Sequence, residues 1–317
     1  MLSTSYPLWD GQAAGHFVAA EAAALCREGH EVVVIAPGPH NQVCGTAPLV
    51  SRLAAGGSFG PPGVLARLRE RPVRAWGSLE FCWRARRELE RRGPFDQIVA
   101  HWLVPCAWPI AIGKARTLEA VAHGSDVRLF CRLPRALRRH IAQTWIEHQV
   151  RLRCVSLELR DLLIEASHPA LMALTRVQPL PLVLGTPPTR AAARERLGVG
   201  ADTRLALLVA RLVPDKRVAA ALRALVHLPG LCVVVVGGGP LLAELRRSFP
   251  TVRFTGELLR PHALEWIAAA DVLVSASRQE GAPTALREAR ALGVPVVALP
   301  AGDLRQWAAR DPGVWLV

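Results

Sequence analysis

Residues 271–295 read DVLVSASRQEGAPTALREARALGVP. Val272–Ser275 is short, apolar and β-branched, which predicts a buried strand. Ala276–Gly281 is polar and predicts a loop carrying Glu280. Pro283 predicts the first position of a helix, because the N–H that proline lacks would be unpaired there anyway. Gly293 and Pro295 end that helix and return the chain to extended structure. In this order the N–H groups of Gly281, Ala282 and Thr284 are left at the carboxyl end of the strand. Helped by the helix dipole, they suit an anion. Glu280 in the loop and Glu288 on the helix flank it, and a carboxylate accepts hydrogen bonds from sugar hydroxyls.

Two cations lie after another predicted strand, Leu205–Ala210, in the run VARLVPDKRV. Arg211 can hold two phosphate oxygens in its fork, and Lys216 adds a mobile point charge, so the pair suits a diphosphate. The chain has 37 arginines and only 2 lysines, which makes the presence of Lys216 informative. A third strand, Cys232–Val236, runs into Gly237-Gly238-Gly239-Pro240, a turn in which backbone can approach a ligand closely, or which simply makes a tight passage from strand to helix. In the first half of the chain, Leu118–Ala122 predicts a strand that ends in His123-Gly124-Ser125-Asp126, and the preceding strand, Gln97–Ala100, ends in His101-Trp102.

Strands alternate with helices throughout, which is the mark of doubly wound α/β domains. The first half predicts helices at Phe17–Arg27, Val64–Glu70, Leu79–Arg92, Pro105–Gly113 and Leu133–Gln149. The second predicts Val218–His227, Leu241–Phe249, His262–Ala269 and Pro283–Leu292. The proline-rich stretch Leu180–Pro188 reads as a linker, giving domains of residues 1–180 and 181–317. The opening residues read as a strand cut short at its start, and the chain reads as stopping before further helices.

The Glu-x7-Glu spacing of Glu280 and Glu288 resembles the donor-site signature of family 4 glycosyltransferases, retaining enzymes of GT-B fold. That fold sets two Rossmann-like doubly wound domains facing across a cleft. The resemblance implies that Glu280 contacts the transferred sugar, Glu288 the nucleotide ribose, and Arg211 and Lys216 the donor pyrophosphate. It sets the turn at Gly238 beside the donor, and His123 and Asp126 toward the sugar or acceptor, with His101 a weaker candidate for the same lining. The usual Gly-Gly turn after the first strand stands here as Ala14-Gly15, so Gly15 and His16 are candidates on a departed pattern. The function implied is transfer of a hexose from a nucleotide diphosphate-sugar to a glycan or lipid-linked acceptor. Within the fold the alternatives are a nucleotide-sugar 2-epimerase and a non-catalytic sugar-nucleotide-binding protein.

The net charge of +13 is spread over both halves and suits an anionic partner. The basic stretches Trp83–Arg92 and Arg128–Arg139 read chiefly as solvated faces, with peripheral contact to an anionic membrane as the functional alternative. Aromatics are not interleaved with the arginines, which argues against nucleic acid. No apolar run approaches the ~18–20 residues that span a bilayer. The seven cysteines are scattered without metal-ligand spacing, which with the lack of an Asp-x-Asp pair predicts metal-independent chemistry, no cofactor and a cytoplasmic setting.

Overall fold

A computed structural model describes residues 1–12, 14–60, 67 and 71–317. The helix expected at Val64–Glu70 lies, apart from Arg67, outside them. The chain divides into two units: Met1–Asp10 with Ala14–Pro181, and Leu182–Val317 with a short stretch beginning at Gly11.

In unit 1 the elements are β1 Leu2–Ser3, α1 His16–Arg27, β2 Val33–Gly38, β3 Gln42–Cys44, β4 Leu49–Ala54, α2 Arg74–Arg92, β5 Phe95–His101, β6 Ala115–Ala122, α3 Ser125–Cys131, α4 Arg135–Glu147, β7 Arg151–Cys154, α5 Leu157–Ala166 and β8 Thr175–Val177. The sheet order is β3-β4-β2-β1-β5-β6-β7-β8, parallel except for the β3–β4 pair. Strand order reverses between β1 and β5, the position where open α/β sheets present a crevice at the strands' carboxyl ends.

Three expectations are corrected here. The stretch 41–54, too weakly patterned to predict a strand, is the β3–β4 pair; Ser51 and Arg52 interrupt its apolar pattern, and both are buried, with Ser51 Oγ donating to Glu88 at 2.8 Å and Arg52 donating to the Tyr6 carbonyl at 3.2 Å. The expected helix Pro105–Gly113 is an irregular segment, Leu103–Ala111, with extended Val104 and Trp108 inside it. Each precedes a proline, whose ring pushes the preceding residue out of the helical region. The expected helix Leu133–Gln149 is present as α4, but the basic stretch Arg128–Arg139 is not one continuous helix: it is interrupted at Pro134, between the end of α3 and the start of α4.

Unit 2 contains α6 Arg190–Leu197, β9 Arg204–Val209, α7 Val218–Leu225, β10 Leu231–Val236, α8 Leu242–Ser248, β11 Arg253–Gly256, α9 Arg260–Ala269, β12 Val272–Ser275, α10 Thr284–Ala291, β13 Val296–Ala298, α11 Leu304–Ala308 and β14 Val314–Leu316. All six strands are parallel, in the order β11-β10-β9-β12-β13-β14. Alternate residues feed two apolar layers. Leu205, Leu207, Val234 and Val236 join one, and Leu208, Val233 and Val235 the other. Side chains of a strand alternate faces, so a sheet covered by helices on both sides needs apolar residues at every position. The reversal of strand order falls between β9 and β12.

Candidate active site

The loops that leave β9 and β12 carry the residues singled out in the sequence. Lys216 sits in a short helical turn, Pro214–Lys216, and its Nζ donates to Glu280 Oε1 at 2.6 Å. The two side chains retain 20% and 11% exposure, so the pair is sheltered yet reachable. A second tie joins the same loops, from the Arg278 N–H to the Asp215 carbonyl at 3.0 Å. The N–H groups of Gly281, Ala282 and Thr284 donate no hydrogen bond among the described residues. Pro283 is the residue capping α10 rather than its first helical one, with ψ of 106°; the helix starts one residue later than the sequence predicts.

Glu288 lies on α10 and is buried at 6% exposure, so it is no solvated helix charge. It accepts from Arg260 Nε at 3.0 Å and Nη2 at 2.8 Å. Burial pushes its carboxyl up, and the Arg260 guanidinium opposes that. Arg260 was not legible as a site residue, although a signal existed. It opens α9, where the positive end of the helix dipole disfavours a cation.

Arg211 is exposed in the loop after β9. Its position is set by the glycine turn. A Cβ on Gly237 would lie 1.9 Å from the Ala210 carbonyl oxygen, and one on Gly239 2.6 Å from that of Leu212. Gly238 accepts from the Leu212 N–H at 2.8 Å. The close approach expected of this turn is thus to the chain's own β9 loop. Gly238 itself stays half-buried, beside Glu257.

In unit 1 the two histidines meet: His101 Nδ1 lies 3.1 Å from His123 Nε2. His101, the weaker candidate for the same lining as His123, is fully buried and backs His123 instead. His123 is half-buried between the rings of Trp102, 4.7 Å away, and Phe17, 5.0 Å away. Burial pushes its imidazole down to about 3. Asp126 is 2% exposed, and its oxygens accept from the backbone N–H groups of Leu103, His123 and Gly124 at 2.9–3.0 Å. It holds the His123 turn in place and is not aimed at a ligand. Gly15, at φ 77°, caps α1; a Cβ there would lie 2.6 Å from the Ser5 carbonyl oxygen, so its role is to close the loop after β1. His16 is the first residue of α1 and its ring stands edge-on to Phe17.

Residues 203–317 match the family model of the group 1 glycosyl transferases. The chain is similar to the putative teichuronic acid biosynthesis glycosyltransferase TuaC of Bacillus subtilis (strain 168), 29% identical over 223 residues, which are 66% of this chain and 54% of that protein. A D-inositol 3-phosphate glycosyltransferase of Thermobispora bispora is 34% identical over 168 residues, 47% of this chain and 39% of that one. The chain thus spans about half, or less, of these relatives' length. Sucrose-phosphate synthase from Thermosynechococcus elongatus superposes with a TM-score of 0.73 at 20% identity, over 100% of this chain and 84% of that one. The fold is that of the GT-B glycosyltransferases. No helix among the described residues is long and apolar enough to cross a membrane.

Proposed function

We propose that this chain transfers a hexose from a nucleotide diphosphate-sugar to a hydroxyl of a glycan or lipid-linked acceptor, with retention at the anomeric carbon. The observation that carries this reading is the Lys216–Glu280 pair at the β9/β12 switch point, beside the N–H groups of Gly281, Ala282 and Thr284, which donate no hydrogen bond among the described residues. The matches to glycosyltransferases support it.

In this reading the donor diphosphate lies along the loop after β9. Lys216 and Arg211 neutralise the charge that grows on it as the bond from the anomeric carbon breaks, an interaction stronger in the transition state than in the ground state. Glu280 accepts from hydroxyls of the transferred sugar and Glu288 from the ribose. The acceptor oxygen bonds to the anomeric carbon on the face the diphosphate leaves, and its proton passes to the departing phosphate oxygen. Glu280 holds the Lys216 ammonium in place at 2.6 Å, and in this reading the donor diphosphate becomes a further partner of that ammonium.

The acceptor is proposed to be presented at an anionic membrane surface. On α2, Trp76, Leu79 and Trp83 are 73%, 62% and 58% exposed and follow one helical stripe. The Arg87 guanidinium stands 4.6 Å above the Trp83 ring. Tryptophans beside arginines suit the headgroup layer of an anionic bilayer.

The test measures nucleoside diphosphate release from UDP-, GDP- and ADP-sugars with candidate acceptors. Release that needs an acceptor supports transfer and separates it from 2-epimerisation. Lys216→Ala should lower kcat/KM more than tenfold, a barrier rise of about 1.4 kcal/mol. Unchanged kinetics would remove Lys216 from the phosphate. Tight donor binding without turnover across acceptors would make the chain a sugar-nucleotide-binding protein.

A further inference from the structure

Unit 1 buries a row of polar side chains that the donor contacts of unit 2 do not use. Strand register aligns His101 on β5, Val121 on β6, Arg153 on β7 and Arg176 on β8. Register mates share a face of the sheet, as does Glu119, two residues before Val121. Glu21 of α1 reaches the same row. The Arg153 guanidinium is bound to Glu21 and lies 2.8 Å from Glu119, which also accepts from Arg176 at 2.7 Å. Three atoms of this row have no hydrogen-bond partner among the described residues: Arg153 Nε, and Glu21 Oε2 and His101 Nε2, which face each other 3.6 Å apart. Glu21 and His101 are both buried, where an unmet polar group is costly. A proton on His101 Nε2, directed at the carboxylate, satisfies both atoms at once. His101 Nδ1 is then an acceptor. The atom 3.1 Å from it, His123 Nε2, must supply the hydrogen.

We propose that Glu21 and His101 are positioning residues: they fix His123 as its Nε2–H tautomer and leave its Nδ1 as a hydrogen-bond acceptor for a ligand hydroxyl. Burial holds His101 well below the ordinary histidine range and His123 down at about 3, so both rings are neutral at neutral pH. A neutral acceptor nitrogen suits a hydroxyl, where an imidazolium would favour a phosphate. Nδ1 has no partner among the described residues, and the Phe17 and Trp102 rings beside it offer apolar faces to a sugar's C–H groups. The tautomer follows from unit 1 alone; the hydroxyl as ligand rests on the sugar-transfer reading.

Nitrogen NMR of the full chain with 15N-labelled histidine tests it, the His123 signals being assigned by their loss in His123→Asn. The expected spectrum at neutral pH has His123 protonated at Nε2 and bare at Nδ1. In Glu21→Gln the amide oxygen must face Arg153, which only donates, so the amide N–H turns toward His101 Nε2. The row then reverses and the proton of His123 moves to Nδ1. A wild-type His123 protonated at Nδ1, or a Glu21→Gln variant with an unmoved tautomer, would overturn the proposal; if that variant fails to fold, the wild-type spectrum decides alone. In turnover, Glu21→Gln should lower kcat about tenfold with the donor KM little changed. A correct tautomer in a chain that transfers no sugar would leave the positioning intact and discard only the hydroxyl ligand.

Discussion

Asp271 opens the stretch that decides the fold, yet its work is structural. Its carboxylate accepts from Arg194 Nη2 at 2.8 Å, from the Leu205 N–H at 2.7 Å, and from Arg190. Arg194 is 5% exposed and also donates to the carbonyls of Gly200, Ala201, Thr203 and Ala269. Asp271→Ala removes the only carboxylate that the described residues offer this buried guanidinium, and should cost about 3 kcal/mol, read from denaturant midpoints. His123 makes stability depend on pH. Its ordinary value of 6.5 is lowered to about 3 in the fold, so between those values the unfolded chain binds more protons. Stability is complete above pH 6.5 and falls as the pH drops toward 3, by at most about 1.4 kcal/mol per pH unit for this group. His123→Asn should flatten that fall, and a series of melting temperatures from neutral to acidic pH would expose an unchanged slope.

At the scale of elements, the glycine turn after β10 and the loop after β9 form one object. Gly237 has φ 141°, and any side chain there meets the Ala210 carbonyl oxygen. Gly237→Ala should therefore cost roughly 2–4 kcal/mol and weaken donor binding through the displaced Arg211. Calorimetric donor affinity equal to wild type in the folded variant would show the loop to be independent of the turn. The exposed stripe of α2 gives a second prediction. Vesicles containing phosphatidylglycerol should sediment the wild-type chain, and Trp76→Ser with Trp83→Ser should release most of it. Retention of the double variant, or equal binding to neutral phosphatidylcholine vesicles, would count against the anionic surface. The sequence hid this stripe, because the predicted helix began at Leu79 and left Trp76 out of the pattern.

For the whole molecule, the two apolar layers of unit 2 draw only on residues of that unit. All proposed donor contacts also lie there. The fragment 182–317 should unfold cooperatively and be stabilised by a nucleoside diphosphate, by about 2.7 kcal/mol at a ligand concentration one hundred times Kd. A shift in the full chain that is absent from the folded fragment would move donor recognition outside unit 2. The positive charge of +13 should make donor binding weaken as salt rises.

By itself the sequence determined the alternation of strand and helix, the strand–loop–helix junction at residues 272–291, and four charged residues of unit 2, Arg211, Lys216 and Glu280 on two loops and Glu288 on the helix that follows. Those signals are local: apolar periodicity, a proline at a helix start, cations after a strand end. Tertiary structure alone decided which polar groups are partners. Lys216 with Glu280, Arg260 with Glu288, and Glu21 with His101 and Arg153 are separated by 64, 28, 80 and 132 residues and meet only because parallel strands bring their carboxyl ends to one edge. Tertiary structure also turned Asp126 from a candidate ligand contact into a support, and set the glycines at 237 and 239, on either side of the candidate Gly238, against the β9 loop. A buried carboxylate takes whichever N–H groups the fold presents, and a missing Cβ serves whatever lies nearest. Neither can be read from residue type before the neighbours are known.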